Sequence, residues 1–224
     1  GDTGKAAMAG FADVEGTRII VFYPKDGVSR VQELQMVTQK GDNTSVVAIH
    51  GNFDDAQTGV KKIFADRDFG EMLAGQGFQL SSANSINIGR LVPQVAYYVY
   101  AYGKLLEGGE IADGEMINVA VPTGNFGNIL AAYFAKQMGV PIGKLICASN
   151  DNKVLYDFFT TGTYDRNRDF ILTNSPSMDI LISSNLERLI YLSTGCDAKK
   201  TAGLMADLAQ KGSYEVTDRK STRL

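Results

Sequence analysis

The run Met116-Ile117-Asn118-Val119-Ala120-Val121 passes through Pro122-Thr123-Gly124-Asn125-Phe126-Gly127-Asn128 straight into a helical pattern, Asn128 to Met138. A strand handed so quickly to a helix finds its sheet neighbour by a crossover connection, which makes the pair parallel and buries it. The rest of the chain repeats the alternation. Apolar runs at Thr17 to Tyr23, Ser45 to Ile49 and Lys144 to Ala148 predict strands. Helices are predicted over Lys5 to Asp13, Ser29 to Gln39, Asp54 to Ala65, Ile88 to Leu106, Lys153 to Thr160, Ser184 to Leu192 and Asp197 to Gln210. Ser29 is the expected N-cap of its helix, with Val31, Leu34 and Val37 or Thr38 on one face. Ala56, Val60, Ile63 and Phe64 form the expected inner face of the next. Strands alternating with helices of this length predict an α/β fold of mostly parallel sheets flanked by helices.

Composition narrows the function. A chain of 224 residues that is 44% hydrophobic can bury a core in one large domain or two small ones. A net charge of -3, with both signs interspersed, argues against a nucleic-acid partner but leaves small anions open. Cys147 and Cys196 are too few and too far apart for a disulfide framework or a zinc site and are expected to be small buried apolar residues. The single histidine, His50, ends a strand pattern and cannot supply a histidine-rich metal centre. No stretch predicts a membrane span or a secretory leader, so the expected location is the cytoplasm. Opening on Gly1-Asp2-Thr3-Gly4, without a methionine, reads as truncation at the front, and the polar tail Thr217 to Leu224 as disordered or non-native.

The turn after Val121 is the main candidate site. Strand, glycine turn and helix N-terminus present free backbone N–H groups and a favourable dipole to an anion. Gly124 and Gly127 would let the backbone approach it, while Thr123, Asn125 and Asn128 would add donors. The pattern matches neither a P-loop nor a dinucleotide fingerprint. Alone, it reads equally as a tight βα turn. Gly1-Asp2-Thr3-Gly4 and Ser81-Ser82-Ala83-Asn84-Ser85-Ile86-Asn87 are further turns preceding helices, the second carrying Arg90. Arg90 reads either as a bidentate grip on phosphate or as a solvated residue.

Together Pro122 to Asn128, Asn84-Ser85-Ile86-Asn87 with Arg90, and Gly1-Asp2-Thr3-Gly4 resemble threonine synthase, among the fold type II pyridoxal-phosphate enzymes. Phe53-Asp54-Asp55-Ala56-Gln57, Cys147-Ala148-Ser149-Asn150 and Ser177 to Arg188 share the resemblance, which reaches from Gly1 to about Gly195. It implies a tryptophan synthase β-like fold, truncated at both ends. It also implies a smaller substrate-side part (1–82), a larger cofactor part (83–224) and pyridoxal 5'-phosphate as cofactor. The implied reaction turns O-phosphohomoserine and water into threonine and phosphate. Gly124, Asn125, Phe126, Gly127 and Asn128 would hold the cofactor phosphate. Asp2, Thr3, Gly4, Lys5, Ser85, Asn87 and Arg90 would face the substrate, with Arg90 or Lys5 gripping its phosphate; Lys5 also reads as a solvated first-turn lysine.

The family's Schiff-base lysine belongs upstream of the Gly-Asp-Thr-Gly loop. Lys25, Lys40, Lys104 and Lys153 stand in no matching motif, so the chain alone is expected to be inactive. Two alternatives remain at this level: a serine or threonine dehydratase or sulfhydrylase of the same fold, and a non-catalytic phosphate- or nucleotide-binding domain.

Overall fold

A computed structural model describes residues 2–216. The tail expected to be disordered or non-native lies outside them. The chain divides into two compact units that part between Asn84 and Ser85.

The first unit contains α1 (Asp2–Phe11), β1 (Ile19–Pro24), α2 (Arg30–Val37), β2 (Thr44–Ile49), α3 (Phe53–Ala65) and α4 (Arg67–Gly75). β1 and β2 pair in parallel from Ile19↔Thr44 to Pro24↔Ile49. Ser29 caps α2 as expected: its side chain accepts from the Gln32 N–H, and the Gln32 side chain accepts from the Ser29 N–H. Asn52 and Asp55 make the same reciprocal cap on α3. The core here is small, built on Met8, Tyr23 and Met36.

Three expectations change in this unit. The opening glycine turn is helix, because α1 begins at Asp2 and includes Thr3 and Gly4. A Cβ on Gly4 would stand 2.6 Å from Val21 Cγ1, so this glycine lets α1 close on β1. On α2 the expected inner face is exposed, with Val31 at 65% and Val37 at 52%, while Met36 is fully buried. The helix is therefore rotated to place a long, adaptable thioether against Met8 and Tyr23. On α3, Ile63 and Phe64 are likewise exposed. α4, capped by Asp66 through the Phe69 N–H, was not expected.

The second unit contains α5 (Ile88–Glu107), β3 (Ile117–Pro122), α6 (Gly127–Gln137), β4 (Ile142–Ala148), α7 (Val154–Thr161), β5 (Thr163–Asp165), α8 (Leu186–Ser193), α9 (Ala198–Lys211) and β6 (Ser213–Glu215). β3 and β4 pair in parallel, Val119↔Leu145 through Pro122↔Ala148. Both therefore end at the turn that follows Pro122. β5 and β6 form an antiparallel pair with Tyr164 opposite Tyr214, too short for the sequence pattern to reveal. α6 is the centre of the main core, with Ile129, Leu130, Ala131, Ala132 and Ala135 all fully buried. Burying one such Ile or Leu side chain is worth about 1.5–3 kcal/mol, and those two residues fix the start of α6 against the sheet. Phe158 packs edge-on against Tyr164 and Tyr214, whose rings stack 5.2 Å apart. Cys147 is half-buried, but Cys196 is exposed, contrary to expectation. It sits at a positive φ of 64° just past α8, where the chain turns too tightly to be covered. No described helix is long and apolar enough to cross a membrane.

Candidate anion-binding site

The turn between β3 and α6 is pinned at both ends. The Thr123 N–H donates to the Ala148 carbonyl at 2.9 Å, extending the β3–β4 ladder one residue beyond the strand. At the other end Phe126 has a left-handed backbone, φ 65° and ψ 3°. A phenylalanine there is strained, and its ring is held by burial at 1% exposure, 5.9 Å from the Phe159 ring. The kink turns the peptide groups so that consecutive N–H groups leave the ladder before the helix takes up its own bonds. Among the described residues, the backbone N–H groups from Gly124 to Ile129 donate to no protein acceptor; the first bond of the helix runs from Leu130 N to the Phe126 carbonyl. Successive bare N–H groups at the start of an 11-residue helix form a concavity suited to an anion.

The side chains around this concavity do a different job from the one expected of them. Thr123 Oγ1 donates to the Val121 carbonyl at 2.7 Å. Asn125 Oδ1 accepts from Ser184 Oγ at 3.1 Å. Asn128 accepts through Oδ1 from Tyr98 Oη at 2.5 Å and donates through Nδ2 to Gln94 Oε1 at 2.9 Å. These three side chains thus hold the loop; Thr123 Oγ1 spends its donor on protein, whereas Asn125 is held through its oxygen alone. The glycines also have protein neighbours. A Cβ on Gly124 would lie 2.8 Å from Ile180 Cδ1, and one on Gly127 would lie 3.5 Å from Asn185 Nδ2. Both lie against neighbouring protein, so Gly124 in particular is needed for a segment to pass close behind the turn.

That segment, residues 180–185, was not anticipated as part of the site. Ser183 Oγ donates to the Gly124 carbonyl at 2.7 Å. The Asn185 N–H and Nδ2 both donate to the Asn125 carbonyl at 3.0 Å. Asn185 is fully buried and also donates from Nδ2 to the Ser85 carbonyl at 2.9 Å. The loop's carbonyls of Gly124 and Asn125 are thus held by protein donors while its N–H groups are left without protein acceptors. Arg188 donates to the Ile86 carbonyl at 2.9 Å and to Asn185 Oδ1 at 3.1 Å, so Ser85 and Ile86 are tied to the same clamp. Ser177 to Arg188 stood out in the sequence, but nothing local marks a residue that works by capping carbonyls 59 positions away.

Solved structures give the fold its relatives. A pyridoxal-phosphate-bound threonine synthase from Brucella melitensis aligns over 99% of this chain and 46% of its own, with TM-score 0.84 and 42% identity. Threonine synthase from yeast aligns over 98% and 43%, with TM-score 0.80 and 37% identity. The chain belongs to the threonine synthase family. Among curated sequences, threonine synthase of Pseudomonas aeruginosa is 40% identical over 222 residues, and threonine synthase-like 1 of Macaca fascicularis is 46% identical over 223. The chain spans 45% and 30% of those two proteins' lengths. No protein-family model matches it.

The remaining positions carried over from the family lie as follows. Asn87 caps α5, accepting from the Gly89 N–H at 2.9 Å, and Arg90 is exposed in the first turn of that helix. In the first unit, Asp2 accepts from Gln32 Nε2 at 2.8 Å and Lys5 Nζ donates to Gln39 Oε1 at 3.0 Å. Both bonds tie α1 to the α2 segment. Cys147 lies beside Thr123 at the end of β4, and burial pushes its thiol above the usual range, partly offset by a hydrogen bond with Thr123. No group of three or more His, Cys, Asp or Glu residues suited to a metal ion occurs among the described residues.

Proposed function

We propose that this chain carries the cofactor-phosphate cradle of a threonine synthase, an enzyme that uses pyridoxal 5'-phosphate to convert O-phosphohomoserine and water to threonine and phosphate. The observation that carries the reading is the run of N–H groups from Gly124 to Ile129, at the start of α6, that meet no acceptor among the described residues. A phosphate needs several convergent donors and a positive local potential. The bare N–H groups supply the donors, and the helix N-terminus contributes the equivalent of about half a positive charge. Gly124, Asn125, Phe126, Gly127 and Asn128 would hold the phosphate through their backbone amides, in a shape imposed by Ser183, Ser184, Asn185 and Tyr98. Bound there, the cofactor supplies an electron sink for carbanions.

Arg90 is the proposed grip on the substrate's phosphate, because a guanidinium meets the charge that develops on a departing phosphate with two parallel bonds. Ser85 and Asn87, at the same end of α5, are proposed to face the substrate. Asp2, Thr3, Gly4 and Lys5 are proposed to face it on family correspondence. No lysine of this sequence stands in the family's Schiff-base motif. The chain is therefore proposed to bind the cofactor's phosphate without turning over substrate by itself, and to work in the cytoplasm.

Equilibrium dialysis against pyridoxal phosphate, phosphate-free pyridoxal, ATP and NAD tests this reading. Pyridoxal phosphate should be retained, displaced by inorganic phosphate, and preferred over pyridoxal and both nucleotides. Preference for a nucleotide, or no retention by the folded chain, would sink it. A borohydride-sensitive absorbance band traced to one lysine of this chain would overturn the assignment of no Schiff-base residue.

A further inference from the structure

We infer that Asp179 is the positioning residue that sets the phosphate cradle, acting through the segment 180–185; this rests on the cradle reading above. Asp179 is 8% exposed and makes no ion pair among the described residues. Its carboxylate is instead the common acceptor of a knot. Oδ1 accepts from Asn150 Nδ2 at 2.7 Å, from Asn152 Nδ2 at 3.0 Å and from Thr173 Oγ1 at 2.8 Å. Oδ2 accepts from the Thr173 N–H at 2.9 Å. Asn152, also buried, donates to the Ile171 carbonyl at 2.7 Å and accepts from the Ile171 N–H at 3.0 Å.

The knot joins three stretches of chain. Asn150 and Asn152 follow β4, whose end carries the carbonyl that pins Thr123. Ile171 and Thr173 belong to the irregular stretch after β5. Asp179 immediately precedes Ile180, the side chain against Gly124, and then Ser183 and Asn185, which hold the carbonyls of Gly124 and Asn125. Farther along, Tyr164 Oη donates to the Leu181 carbonyl at 2.9 Å and accepts from the Ser183 N–H at 2.8 Å. The segment is thus fixed at its start by one buried carboxylate and in its middle by one phenol, and its last residues shape the loop.

Only an acceptor-only group fits at position 179. An amide would turn an N–H₂ toward the two asparagine donors and Thr173 Oγ1, or toward the Thr173 N–H. Asp179→Asn therefore keeps size and shape and breaks the knot.

The test uses the 224-residue chain. Hydrogen exchange is read first, without ligand. In Asp179→Asn the N–H groups of Thr173, Ser183 and Asn185 should exchange at least tenfold faster, while α6 beyond its first turn keeps its protection. A change confined to Thr173 would overturn the inference, since it would show that the knot is not transmitted to the loop's holders. Affinity is read second. Asp179→Asn and Ser183→Ala should each weaken pyridoxal phosphate binding about tenfold, and the double variant should bind about as weakly as either alone. Additive losses, or unchanged binding by Asp179→Asn, would overturn it as well. If wild type retains no pyridoxal phosphate while exchange responds as expected, the cradle reading fails and the positioning of the segment stands. Should Asp179→Asn not fold, Thr173→Val, which removes the Oγ1 donor to Asp179 together with the acceptor of Asn150 and Ser175 but keeps the carboxylate, is held to the same outcomes.

Discussion

Replacing Asn185 by alanine is the most direct probe of how the loop is held. The side chain supplies two donor bonds, to the carbonyls of Ser85 and Asn125, and one acceptor, to Arg188 Nε. The losses are unequal. The Asn125 carbonyl keeps the Asn185 backbone N–H as a partner, so that loss is an ordinary hydrogen bond of about 1 kcal/mol. The Ser85 carbonyl is left without its only described partner in a half-buried place, at about 1–2 kcal/mol. Arg188 is half-buried and keeps its bond to the Ile86 carbonyl, so its lost acceptor adds at most about 1 kcal/mol. The sum is about 2–4 kcal/mol. Urea unfolding followed by the near-ultraviolet signal of the tyrosines would measure it. Binding of pyridoxal phosphate should fall in the same variant, because the Asn125 peptide is freer to rotate. A loss under about 1 kcal/mol with unchanged binding would refute the reasoning, because it would mean that water satisfies these carbonyls as well as Asn185 does.

Two other outcomes follow from the geometry of the second unit. Gly212 sits at φ 77°, and a Cβ there would collide with the Asn167 amide, which donates to the Lys211 carbonyl at 2.9 Å. Gly212→Ala should therefore cost about 2–3 kcal/mol in a urea melt, combining a left-handed penalty with the displaced bond. Burial pushes the Tyr98 and Tyr214 phenols up, so both are held neutral in the fold beyond the pH at which the unfolded chain ionises. Their stabilisation is fully present below pH about 10 and is lost as pH rises above it, and Tyr214→Phe should flatten the fall of urea midpoints above pH about 10.

Local features of the fold were legible. The strand, turn and helix around Gly124, and the N-cap at Ser29, are each written within a dozen residues, so periodicity and side-chain chemistry reveal them. Which face of α2 is buried was not, because Val31 and Met36 both lie on apolar arcs and only the position of β1 and α1 decides between them. β5 and β6 escape because three-residue strands carry no period. At the candidate site, the turn and its bare backbone N–H groups follow from the strand–glycine–helix pattern, but the work of the side chains does not. Thr123 Oγ1 and Asn128 Nδ2 donate to protein, and Asn125 accepts through Oδ1 from Ser184. The left-handed Phe126 had no local sign either, since glycine is the residue usually found in that conformation. Its backbone is dictated by a ring buried beside Phe159, a contact with a distant residue.

A ligand surface made of peptide groups has an unusual genetics. No single substitution can delete a backbone N–H other than one to proline, so a side-chain scan across Gly124 to Asn128 would not find the donors. A scan of the residues behind the loop would register Ser183, Asn185 and Tyr98, which need never meet the ligand. Loss of function in such a protein would map to the scaffold behind the proposed binding surface, and within the loop to Gly124 and Asn128, through their packing and side-chain bonds and not through their donors.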